Sequence, residues 1–265
     1  MKKKSKANEK ETEKNMLSKG IEFAKAGRHL RAFECFDRAI AIKPNNAKAY
    51  YHKGESLTKL GSREEAIKCY NKAISLKPDY TDAYFNKGLI LSEMKAHKQA
   101  IECFDKAISL EREDAEIYFQ KGFCFGEIGR PEEAIESYDK GISLNPNQMV
   151  IYFNKGAHLY DLERHEEAIK CFNRYLSQNP DNTDAFHLKI NSLQCLNRYK
   201  EVIQLLQKAL ESNPKHSLWH CDLARTFEKI GKNKKALEHF TLAKLFLQDS
   251  KKFLPGNYIR FVEGY

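Results

Sequence analysis

The chain has 265 residues, 42% of them hydrophobic and 31% charged, with a net charge of +9. That apolar share can bury a continuous core, yet no apolar run approaches the roughly eighteen residues that a membrane-spanning helix needs, which argues against a bilayer-crossing protein. The seven cysteines are placed by phase rather than as a disulfide framework: Cys35, Cys69, Cys103 and Cys171 recur every thirty-four residues. Equivalent residues of stacked helices lie about 8–10 Å apart, beyond disulfide reach, so reduced thiols are expected.

Residues 1–12 open Met1-Lys2-Lys3-Lys4 and stay polar through Lys10-Glu11-Thr12. They lack the apolar core of a secretory signal, and a soluble, cytoplasmic protein is expected. This basic tail reads as disordered or as a frayed helical extension.

From Glu13 to Ser250 the sequence keeps a thirty-four-residue period without insertion or deletion. The units are 13–46, 47–80, 81–114, 115–148, 149–182, 183–216 and 217–250. Ala32, Ala66, Ala100, Ala134, Ala168, Val202 and Ala236 share one phase, followed four residues later by Phe36, Tyr70, Phe104, Tyr138, Phe172, Leu206 and Phe240. Twelve residues before the alanines stand Gly20, Gly54, Gly88, Gly122, Gly156, Ile190 and Ala224. Such a period means one supersecondary unit stacked on its neighbours.

Within a unit the apolar spacing is helical. In 47–80, Tyr50, Leu57 and Leu60 mark a first helix, and Gly61 closes it with the left-handed conformation glycine tolerates. Gly27, Gly129 and Gly231 share that phase, with Asn197 as the nearest substitute. A second helix starts near Arg63-Glu64-Glu65, acidic where the helix dipole favours it, and Pro78 ends it. Pro44, Pro146, Pro180 and Pro214 repeat the stop, whereas Arg112 and Gln248 do not. Pro131 fits the first turn of its helix. At the junction of the fifth and sixth units, Tyr175 and Ile190 replace small residues, which predicts a wider helix spacing there.

The aromatic–Gly–Leu–Ala–aromatic–Ala–Pro pattern resembles the tetratricopeptide repeat family over residues 13–250. The resemblance implies an all-α, right-handed superhelical solenoid of antiparallel helix pairs, with the first helix of each pair lining a concave groove. It also implies a non-catalytic binding scaffold.

Nothing in the sequence assembles a catalytic centre. Gly122, Gly126 and Gly129 lie within or at the end of a helix rather than after a strand, so they do not form a phosphate loop. His216, His220 and Cys221 have a metal-compatible spacing, but His216 falls in a turn and His220 takes an aromatic packing position. No catalytic residue, metal site or cofactor is expected.

The family geometry turns the fifth and sixth residues of each unit toward the groove. Repeats three to five then present Phe85, Phe119 and Phe153 beside Asn86, Gln120 and Asn154, with Tyr51 one repeat earlier. Leu89 and Phe123 add apolar surface one turn on, and Asp82, Glu93, Glu116, Glu127 and Asp161 form an acidic rim. Three carboxamides at one phase can pair with a peptide backbone without reading its side chains, as an asparagine ladder does in some family members. The same aromatics could instead pack only on adjacent helices. The expected ligand is a peptide segment with Lys or Arg plus apolar residues.

The carboxylate clamp of chaperone-binding members is not expected. Leu17 with Ile21, Phe85 with Leu89, and Phe119 with Phe123 fill its positions; Asn191 matches one, but His187 and Asp222 do not. The charge is +9 over residues 1–80, −6 over 81–182 and +6 over 183–265. The alternative reading is therefore a nucleic-acid or ribonucleoprotein adaptor using the basic ends, which steep salt dependence would reveal. Residues 251–265, with Tyr258, Ile259, Phe261 and Val262 after Pro255-Gly256, are expected to cap the last unit or to form a partner-seeking tail.

Overall fold

A computed structural model describes the backbone of residues 2–250 and the side chains of residues 12–246. The segment 251–265, expected as cap or tail, lies outside the described residues. Among those residues the chain is wholly helical: α1 (Lys2–Lys25), α2 (His29–Ile42), α3 (Ala47–Lys59), α4 (Arg63–Leu76), α5 (Thr81–Glu93), α6 (His97–Ser109), α7 (Ala115–Glu127), α8 (Pro131–Leu144), α9 (Met149–Asp161), α10 (His165–Leu176), α11 (Thr183–Cys195), α12 (Tyr199–Ser212), α13 (Ser217–Lys229) and α14 (Asn233–Ser250). They divide into two compact units, Met1–Ile151 and Tyr152–Tyr265. No helix among the described residues is long and apolar enough to cross a membrane.

The period in the sequence becomes a periodic core. In the first unit α1 pairs with α2, α3 with α4, α5 with α6 and α7 with α8, and each pair stacks on the next. A methyl group added at Gly20, Gly54, Gly88 or Gly122 would lie 2.5 to 2.8 Å from a ring atom of Phe36, Tyr70, Phe104 or Tyr138. These rings are almost fully buried. The glycines are therefore sockets for the aromatics, which is why the two recur at a fixed interval.

The turn inside each hairpin follows one scheme. Gly27, Gly61, Gly129 and Gly231 take positive φ, and so do Lys95, Glu163 and Asn197 at the same phase. After each, an amide closes on a carbonyl five residues back, as in Ser62 N–H to Leu57 O at 2.9 Å and Ala96 N–H to Leu91 O at 2.8 Å. This closure needs a left-handed residue. Stacking enforces it even where a lysine or glutamate must adopt it. The first helices open on side-chain caps from Asn46, Asp114 and Asn182, whose oxygens accept from Ala49, Ile117 and Ala185 N–H.

In the second unit Gly156 is the socket for Phe172, and the pattern then changes. At the same spacing Ile190 stands with Leu206, both fully buried in one apolar cluster, so a larger residue on one helix accompanies a smaller one on the other. The expected widening between α10 and α11 is not seen; they pack as extensively as α2 and α3. Tyr175 avoids the crossing by packing at a tilt against Phe153, 5.2 Å between centroids, and accepting from Asn182 Nδ2 at 3.3 Å. The looser pair is α11 with α12, where Ile190 has displaced the glycine socket. All seven cysteines are free thiols.

Candidate functional site

The first helices of two neighbouring hairpins, α5 and α7, border an open groove of about 570 Å³ in the first unit. It is lined by Phe85, Leu89, Ser92 and Glu93 from α5, by Glu116, Gln120, Phe123 and Glu127 from α7, and by Lys95 and His97 between them. The α7 contribution recurs every three to four residues, which places it along one helix face. Phe85 and Leu89 pack into the core, whereas Phe123 stays 37% exposed and meets the edge of the His97 ring at 6.1 Å.

The remaining expected residues have other surroundings. Tyr51 donates to Glu55 at 3.0 Å and accepts from Asn86 Nδ2 at 3.0 Å, and its ring lies tilted against Tyr80, 4.8 Å between centroids. Burial, then the charge of Glu55, push the Tyr51 phenol far above its usual pKa. One amide hydrogen of Asn86 is thus committed inside the fold. Gln120 donates to Glu116 at 2.7 Å, and Gln148 donates to the other oxygen of that carboxylate at 2.9 Å. Phe119 lies 6.2 Å from Tyr138 and belongs to the core margin. Phe153, Asn154 and Asp161 are in the second unit, where Phe153 meets Phe172 at 6.4 Å as well as Tyr175.

The acidic rim is electrically uneven. Asp82 pairs with Arg112 at 2.7 Å, and Glu93 with Arg63 at 3.0 Å. Glu116 is bound by two neutral carboxamides, and Glu127 stands 3.9 Å from His97 Nε2. His97 and Lys95 escape the fifth-and-sixth-residue reading because they come from the hairpin turn and the second helix. Arg112 escapes it too, though the proline missing from its phase was a signal. Its guanidinium lies over the Phe85 ring, 3.8 Å from the centroid, and 3.0 Å from Asp114.

In the second unit His187 and Asp222, which break the chaperone-clamp pattern, pair with each other at 3.1 Å around a carboxylate that is almost fully buried. His216 caps α13 through Trp219 N–H at 3.4 Å. His220 contacts the Pro214 carbonyl and His239 Nδ1, each at 2.9 Å. These imidazoles are held by packing and hydrogen bonds.

Family models for tetratricopeptide repeats match residues 54–95, 81–114 and 115–148, over the helix pairs that border the groove. The chain is a tetratricopeptide repeat protein. A model for anaphase-promoting complex, cyclosome, subunit 3 matches residues 161–242 of this repeat protein. No curated protein sequence matches the chain. Among solved structures it is similar to MamA, at 24% identity and TM-score 0.58 over 62% of this chain and 96% of that one. PilF of Pseudomonas aeruginosa is 18% identical with TM-score 0.62 over 78% of this chain and 94% of that one. YrrB, described as a repeat protein with an unusual peptide-binding site, is 20% identical with TM-score 0.51, covering 82% and 98%. At these identities the likeness concerns the fold.

Proposed function

We propose that this repeat protein is a non-catalytic scaffold that binds a peptide segment of a partner protein in the groove between α5 and α7. The observation that carries the reading is the coincidence of exposed Phe123, the apolar flank of Leu89 and Phe85, and two carboxylates that pair with no lysine or arginine among the described residues, in one open trough. An apolar anchor supplies most of the affinity in such interfaces, and polar neighbours set orientation. Gln120 adds backbone hydrogen bonding from the middle of the groove. YrrB's peptide-binding site, on a similar fold, is in keeping with this use.

The test is selection of a displayed random-peptide library on the intact chain, followed by titration of the recovered peptides. Leu89→Ala with Phe123→Ala should weaken binding at least about tenfold, from the loss of two apolar anchors. The melting temperature should fall as well, because Leu89 packs against the core while Phe123 is 37% exposed, so the titrations are run well below the variant's melt. Wild-type affinity in the double variant would move the binding surface elsewhere.

A further inference from the structure

We propose that this groove reads the spacing of positive charge: it takes an extended segment with two basic side chains about four to six residues apart and an apolar side chain between them. The proposal rests on the peptide-binding reading above and specifies its ligand. Glu116, Gln120, Phe123 and Glu127 form one stripe on α7. At about 1.5 Å of rise per residue, the two carboxylates stand about 16 Å apart, with Phe123 nearer the Glu127 end. An extended chain advances about 3.1–3.4 Å per residue, so about five residues span that distance.

Neither carboxylate is neutralised by a lysine or arginine among the described residues, unlike Asp82 and Glu93 in the same unit. An independent observation comes from His97, which is 9% exposed and lines the groove. Its Nδ1 has no hydrogen-bond partner, and the 3.9 Å from Nε2 to Glu127 is too long for a hydrogen bond. Neither ring nitrogen is therefore hydrogen-bonded, and a ligand N–H docking beside Glu127 would give Nε2 a partner.

The fold already contains the arrangement in intramolecular form. Arg112 sits over the Phe85 ring and reaches the carboxylates of Asp82 and Asp114. Phe123, one turn from Glu127, offers the same aromatic-plus-carboxylate pair to a guanidinium arriving from outside. Lys95 lines the groove as well and opposes a cationic ligand.

Fluorescent peptides with a central leucine and two arginines at separations from about two to eight residues test this by anisotropy. They are titrated against wild type, Glu116→Gln, Glu127→Gln and Lys95→Ala, with citrulline replacing both arginines as the neutral control. Affinity should peak at separations of about four to six and exceed the citrulline control about tenfold. Each glutamine variant should lose about fivefold and flatten the optimum, and Lys95→Ala should bind more tightly. Equal binding of the citrulline peptide would overturn the charge reading while leaving the peptide groove standing. Affinity indifferent to spacing and to both glutamine variants would overturn it as well. Failure of every leucine peptide, charged or neutral, would remove both readings.

Discussion

Gly88 and Phe104 offer the sharpest test of how the repeat packs. A methyl group at residue 88 would meet Phe104 Cε1 at 2.6 Å, Cδ1 at 2.9 Å and Cζ at 3.1 Å. The ring is fully buried, so it has no solvent to retreat into. Overpacking of this kind costs about 1–3 kcal/mol, and alanine returns about 1 kcal/mol of helix propensity, so Gly88→Ala should destabilise by up to about 2 kcal/mol. Phe104→Leu should cost a similar amount through the space it leaves. Combined, the methyl group enters that space, and the double variant should be more stable than the sum predicts by about 1 kcal/mol. Ile190 with Leu206 is the chain's own instance of this exchange. Urea unfolding followed by circular dichroism gives the four free energies. Strict additivity would show that the glycine is not a socket for the ring and would refute the packing argument.

Three further outcomes follow from the geometry. Lys95→Gly and Glu163→Gly should each stabilise by about 1 kcal/mol by relieving a left-handed side-chain conformation, while Gly61→Ala should destabilise; thermal melts check the signs. Burial and His220 hold the His239 pKa below its usual value, and burial does the same for His216, so both fold as neutral rings. Their contribution is full above pH about 6.5 and is lost as the pH falls below it, so the melting temperature should drop between pH 7.5 and 5, and less so in His239→Asn. Burial raises the thiol pKa of Cys69, Cys103 and Cys124 and pushes Cys221 up to about 11. Timed alkylation of the native chain, read by peptide mass, should therefore label exposed Cys195 early and Cys221 late.

The fold was legible because its determinants repeat. The interval from Gly54 to Tyr70 is one packing contact written again at Gly88 and Phe104, and periodic apolar contacts leave periodic traces. The left-handed turns at Lys95 and Glu163 were less legible, because stacking imposes a conformation that those residue types do not announce. Phe85, Leu89, Gln120 and Phe123 could be assigned to a groove by phase alone. Which acids are neutralised could not, since Asp82 with Arg112 and Glu93 with Arg63 join residues thirty positions apart through flexible side chains. The same holds for Asn86, whose amide is taken by Tyr51. The loosening at α11 and α12 rather than α10 and α11 depended on where the Tyr175 ring could turn.

The central claim, that the trough between α5 and α7 receives the partner, is tested most directly by amide hydrogen exchange of the intact chain with and without a library-selected peptide. Slowed exchange concentrated in residues 81–93 and 115–127, and absent in Leu89→Ala with Phe123→Ala, is the predicted result. Slowing confined to α2, α4 or α6, or to residues 152–250, would contradict it.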